Sequence, residues 1–245
     1  AHTLKEAFSR LAVSIAQTEA RPELGGVNMI FSAEEVRMAT TDGFRLSEYV
    51  LPVKWQNTAG DEYPTVIIPA AAAAAMNQIL SDAGERDLSV TVDEAQIFFS
   101  RGETSVVSRL VAGTYPDYKQ IIPSSFAATA VLDRVALERA VRLAGTFSPA
   151  AGDMSLVVSP EEKVCLIDAA SRERGSNSTR IELLSAEGER QEVFLNTKYL
   201  SDGLARCGTE RVSLGLSGPT SPVLLKPADE EESPYLYLVM PIRKN

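Results

Sequence analysis

Histidine is nearly missing from this 245-residue chain: the single one is His2. A Ser-His-Asp or Cys-His arrangement needs an imidazole held firmly by its neighbours, and chain ends fray, so the inventory argues against histidine-based hydrolysis. Cysteine is almost as scarce. Cys165 and Cys207 stand far apart, with no CxxC spacing for a metal or a redox pair, and both read as reduced structural residues. No run approaches the roughly 18 consecutive apolar residues of a membrane span. The opening AHTLKEAFSR also lacks the basic-then-apolar pattern of a secretory signal, so the expectation is a cytoplasmic protein without a membrane partner. There is no G-x-x-x-x-G-K-[ST] and no G-x-G-x-x-G, hence no backbone cradle for a nucleotide.

Two stretches imitate chemistry without supporting it. Gly215 to Pro219 (GLSGP) resembles a nucleophile elbow, but Pro219 replaces the second glycine and no histidine serves the serine. Asp229, Glu230, Glu231 and Glu232 sit between Pro227 and Pro234 without calcium-loop spacing and read as a solvated turn between strands. No catalytic residue, metal ligand or cofactor is expected.

What is present is an ordinary globular balance, 44% hydrophobic and 23% charged. The length suits one large domain or two smaller ones. Against 24 basic residues stand 33 acidic ones, a net charge of −9. That argues against gripping nucleic acid by bulk attraction and leaves room for a local basic face.

Leu4, Phe8, Leu11, Ala12 and Ile15 recur at helical spacing, which predicts an amphipathic helix over Leu4–Gln17. The runs VNMIFS, VRMATT and FRLSEYVLPV follow as strands, with Asp42-Gly43 as a hairpin turn. After VIIP, the alanine-rich stretch Ala70–Gly84 is helix by propensity. LSVTVDE, AQIFFSRG and ETSVVSRLVAG read as three short strands before the turn Tyr115-Pro116-Asp117-Tyr118 and an exit at Ile121 to Pro123. The second half repeats the order: a helix over Asp133–Thr146, strands through SLVVS, KVCLIDAA and TRIELLSAE, a helix over Thr197–Cys207, then RVSLGLS, PVLLKP and YLYLVMPI.

Helix starts recur at a near-constant offset, Leu4 with Leu137 and Ala70 with Thr197, which implies a duplicated α+β domain. In each copy two helices shield one face of antiparallel sheet. The boundaries expected are residues 1–124 and 125–245. Across the four helices Lys5, Arg10, Arg134, Arg139, Arg142, Lys198 and Arg206 outnumber Glu6, Asp82, Asp133, Glu138 and Asp202. This excess also fits solvated helix faces, and does not establish DNA binding.

Specific strings then carry weight. They are Arg21-Pro22-Glu23-Leu24 with Gly26, Thr41-Asp42-Gly43-Phe44-Arg45-Leu46, Tyr115-Pro116-Asp117-Tyr118 with Ile121 and Pro123, and the tail Tyr237-Leu238-Val239-Met240-Pro241-Ile242-Arg243. In this order and spacing the whole chain resembles the bacterial DNA polymerase III sliding clamp, the beta subunit, over its second and third domains.

The resemblance implies duplicated DNA-clamp domains, each with two helices facing a central hole and antiparallel sheets outside. It implies a non-catalytic processivity factor that encircles duplex DNA without reading sequence. Its partners would be the DNA polymerase III alpha subunit, the clamp loader and other proteins carrying a clamp-binding motif. The full-length family forms a homodimeric ring of three-domain subunits. Here the sequence resembles a fragment without the first domain, expected to be monomeric or weakly associated, with Arg142 and Leu143 at the subunit edge.

By match to the family's motifs, partner peptides would enter a pocket between the two domains. Leu24, Thr41, Gly43, Phe44, Arg45, Leu46, Pro116, Ile121, Leu238 and Met240 would form its deep apolar part. Asn196, Tyr199, Thr220, Pro222, Val239, Pro241, Ile242 and Arg243 would line the shallower part, with Arg21 at the edge. Phe44 stands where the family often has histidine and Ile242 where methionine is frequent; both keep apolar character. The candidates for facing DNA are Lys5, Arg10, Arg134, Arg139, Lys198 and Arg206. The second helix opens with alanines where family members can carry basic residues.

Without the resemblance the same residues have plainer readings: Asp42-Gly43 turns a hairpin, Leu238 and Met240 fill a core, and Tyr199 packs a helix. Three functional alternatives stand beside the clamp: a peptide-binding two-domain module that does not encircle DNA, a natural two-domain clamp forming a trimeric ring, and a carboxylate-dependent hydrolase, for which no paired carboxylate spacing exists.

Overall fold

The computed structural model describes residues 2–17, 20–54, 63–80, 88–149, 152–228 and 233–243. The acidic stretch 229–232, Asp82 and the end of the helix expected over Ala70–Gly84 lie outside the described residues. The chain divides into two compact units, Ala1–Pro116 and Asp117–Asn245. Among the described residues no helix is long and apolar enough to cross a membrane.

In unit 1, α1 (His2–Leu11) buries Leu4, Ala7, Phe8 and Leu11, against β2 (Glu35–Thr41) and β3 (Arg45–Pro52). The helix stops earlier than the expected Gln17. The Thr40 hydroxyl donates to the Leu11 carbonyl at 2.7 Å, Ala12–Ser14 tightens into a 3-10 turn, and the buried Ser14 and Ser47 hydroxyls bond at 2.8 Å. These side-chain bonds satisfy groups that a continuing helix would use. β1 (Gly26–Phe31) pairs antiparallel with β2 and with β4 (Thr65–Pro69), giving the order β3-β2-β1-β4. α2 (Ala70–Ile79) follows β4 with no loop and contacts α1, β1 and β4. β5 (Ser89–Val92), β6 (Gln96–Arg101) and β7 (Thr104–Arg109) close the unit as a meander.

Unit 2 rebuilds this plan. β9 (Asp153–Ser159), β10 (Val164–Ser171) and β11 (Gly175–Glu182) form a meander, and β13 (Gln191–Asn196) pairs with β9 as β4 pairs with β1, giving β11-β10-β9-β13. The second sheet runs β12-β8-β14-β15-β16, with β8 (Ala128–Asp133), β12 (Ser185–Gly188), β14 (Arg211–Leu216), β15 (Val223–Pro227) and β16 (Tyr235–Val239). α3 (Arg134–Phe147) packs on β9, β10 and β11; α4 (Thr197–Cys207) packs on α3, β13, β15 and β16. Cys165 and Cys207 are free and buried.

The duplicated α+β architecture read from the sequence is therefore present, with three corrections in detail. β8 and β13 escaped the reading because each runs straight into a helix: Asp133 and Asn196 are at once the last strand residue and the helix cap. The expected single strand TRIELLSAE is two. Its Leu183 amide still bonds to Lys163, but that of the exposed Leu184 bonds to Val131, so the chain changes sheets between them. The third is the short first helix, described above.

Candidate functional site

In unit 1, the hairpin between β2 and β3 is locked by its own side chains. The Asp42 carboxylate accepts from the Phe44 and Arg45 amides at 2.9 and 3.0 Å, and from Arg45 Nε at 2.8 Å. The Thr41 hydroxyl donates to the Arg45 carbonyl at 2.7 Å and accepts from the Gly43 amide. Gly43, at φ +89°, supplies the left-handed residue the turn requires. Phe44 is left 61% exposed at the tip.

Tyr115 gathers the rest of this unit's set. Burial pushes its hydroxyl well above the ordinary tyrosine range; the Thr41 backbone and the charges of Arg21, Asp42 and Glu23 act on it too. Arg21 bonds Glu23 at 3.0 Å. The Glu23 carboxyl is lowered from its usual value, first by a backbone hydrogen bond and then by Arg21. Leu24 and Leu46 are buried core residues, and Pro116 is half-buried at the end of the unit. Asp42 and Tyr115 lie beside the candidate residues, Asp42 through its bonds to Phe44 and Arg45 and Tyr115 through its burial near Thr41 and Arg21.

In unit 2, Asn196 caps α4, its side-chain oxygen accepting from the Lys198 and Tyr199 amides at 2.9 and 3.2 Å. The tail follows β13: the Ile242 amide donates to the Phe194 carbonyl at 2.7 Å. Val223 is the register partner of Val239, so Pro222 and Met240 are the residues just beyond the same end of the β15–β16 pair. Asn196, Pro222, Met240 and Ile242 are thus set by β13, β15 and β16. Leu238 and Val239 are core, Met240 and Pro241 half-exposed, and Thr220, Arg243 and Ile121 exposed. Ile121 ends a 3-10 turn over Tyr118–Ile121.

Several helix cations expected to face DNA already have partners. Arg10 pairs with Glu6, is only 12% exposed, and lies over the Tyr49 ring at 5.8 Å. Arg134 bonds Glu138 at 3.0 Å and the Thr209 carbonyl at 2.6 Å. Lys198 reaches Asp202 at 2.7 Å. Arg139 is exposed, and Lys5 and Arg206 are half-buried. Arg142, paired with Glu138, and Leu143 are both exposed on α3. Among the described residues no three His, Cys, Asp or Glu gather where they could hold a metal ion.

A beta sliding clamp of Staphylococcus aureus is 28% identical over 240 residues, covering 98% of this chain and 62% of that protein. The DNA polymerase III beta subunit of Pseudomonas aeruginosa superposes with a TM-score of 0.90 at 25% identity, over 99% of this chain and 65% of its own. The Streptococcus pyogenes beta subunit gives 0.90 at 25% identity, over 99% and 64%. The chain thus spans about 62% of the length of the curated relatives it matches. Residues 1–117 match the family model of the DNA polymerase III beta subunit central domain, and residues 119–243 that of its C-terminal domain. With both models matched in succession along nearly all of its length, the chain belongs to the DNA polymerase III beta subunit family.

Proposed function

We propose that this chain works as a cytoplasmic sliding clamp, tethering a replicative polymerase and other partners to duplex DNA by their short linear motifs. It makes and breaks no bond. Its effect is kinetic: a polymerase held by a flexible peptide meets the primer end again at high effective concentration. The reading is carried by the order of the two matched domains, each pairing two helices with antiparallel sheet.

The residues proposed for the peptide are the hairpin-tip set with Phe44 in unit 1 and the Asn196, Tyr199, Pro222, Met240 and Ile242 set in unit 2. Exposed Phe44 and half-exposed Met240 supply apolar contact, while Asn196 and Arg243 supply polar orientation. The test is fluorescence anisotropy with a labelled peptide carrying Gln followed by a Leu-Phe pair. Saturable binding is expected, weakened about tenfold or more by Met240→Ala if that side chain is one of the few anchors that dominate such interfaces. A folded protein that ignores the peptide would overturn the reading.

The pairing of Arg10, Arg134 and Lys198 with carboxylates favours a second reading, a peptide-binding module that does not surround DNA. Retention on closed circular DNA, lost on linearisation, separates the two.

A further inference from the structure

Tyr237 stands outside the residues assigned to the peptide, yet it joins two of them. It is completely buried in β16, three residues before Met240. Its hydroxyl donates to the backbone carbonyl of Tyr199 at 2.7 Å. Its ring fills the space that a side chain on Gly203 would occupy, so α4 approaches β16 closely at that glycine. The Tyr199 carbonyl belongs to the first helical turns of α4, where the helix's own ladder uses it as an acceptor. A second donor on it ties the helix to the strand at one defined height.

We propose that Tyr237 is a positioning residue for peptide binding, fixing Tyr199 relative to the Met240 end of β16 so that both meet the peptide already arranged. This rests on the peptide-binding reading above. The physical gain is preorganisation: a pair held in its bound geometry loses less freedom when the ligand arrives. A tyrosine serving only as core filler needs its ring but not its hydroxyl. Phenylalanine would replace it with no effect on the ligand.

The experiment is a double-mutant cycle on peptide affinity, built from Tyr237→Phe, Tyr199→Ala and the pair, with urea unfolding of each variant alongside. Tyr237→Phe keeps the ring and is expected to fold and to bind the labelled Gln-Leu-Phe peptide about three- to tenfold more weakly, the usual net worth of one hydrogen bond. In the Tyr199→Ala background the same change is expected to move affinity less than twofold, because the side chain that the bond positions is gone even though the carbonyl that accepts it remains. Gly203→Ala offers a second route, displacing the ring while keeping the hydroxyl; the same loss and the same non-additivity are expected. Unchanged affinity in Tyr237→Phe, or equal losses in both backgrounds, would leave Tyr237 a structural residue and overturn the proposal. If the wild-type protein is folded but binds no peptide, the functional reading itself fails and takes this inference with it, an outcome visible before any variant is made.

Discussion

α2 and α4 occupy the same slot in the two units, each following directly on the strand that completes a four-stranded order, yet they are held there by different means. α2 is alanine from residue 70 to residue 75, starts after Pro69, whose side chain has no acceptor, and buries Ala72, Ala73 and Met76. Its stability comes from intrinsic propensity and from small side chains that allow close packing. α4 contains Gly203 and the β-branched Thr197, poorer helix formers, and compensates with the Asn196 cap, the Lys198–Asp202 pair and the Tyr237 bond. One topology therefore tolerates either propensity or specific bonding as its source of order.

The comparison breaks most visibly at Gly203. Alanine is the better helix former by about 1 kcal/mol, but here its methyl group meets the buried Tyr237 ring, so Gly203→Ala is expected to destabilise by about 1–3 kcal/mol. Urea unfolding of the variant reads this directly, and a net gain in stability would show that the ring can move aside. Next come the two sources of order themselves. Asn196→Ala is expected to cost about 1 kcal/mol through loss of the cap, and Ala74→Gly on the exposed face of α2 a similar amount through propensity alone. In salt titrations of unfolding neither loss is expected to change, since neither is an ion-pair effect. At neutral pH the smallest expected effect concerns Cys165, whose thiol burial pushes up to about 12 from an ordinary 9.0, so that its contribution shows only in alkaline solution. The folded protein keeps that proton while the unfolded chain releases it, so stability is full below about pH 9 and declines as pH rises toward 12. A Cys165→Ala variant is expected to show a flatter alkaline profile.

Much of the architecture was legible because periodicity reports burial. Leu137, Val141 and Ala144 recur at helical spacing and are all buried in α3, and the β1–β3 meander follows the runs and the Asp42-Gly43 turn read from the chain. β8 was not legible: its inward Ala128 and Ala130 are weak strand formers, it runs without a turn into α3, and it becomes a strand through β14 and β12 on either side. The switch of sheets at Leu183–Leu184 was hidden because no turn residue marks it: the buried side of the chain passes from Ile181 and Leu183 to Ala186 while the hydrogen-bond partner changes from Lys163 to Val131. At the candidate site the motif strings identified Phe44 and Met240 as residue types suited to an apolar ligand. They said nothing of Arg10, which reads as a free cation on a helix and is instead folded over Tyr49.

By itself the sequence determined the duplicated α+β plan, the hairpin at Asp42-Gly43 and the family resemblance, because these rest on local patterns and residue identities. Tertiary structure alone decided where α1 stops, that Arg10 lies over Tyr49, and that Tyr237 reaches Tyr199. Each of those depends on a partner distant in the chain, Thr40 for Leu11, Tyr49 for Arg10 and β16 for α4, and no local pattern records which distant groups a fold will bring within hydrogen-bonding range.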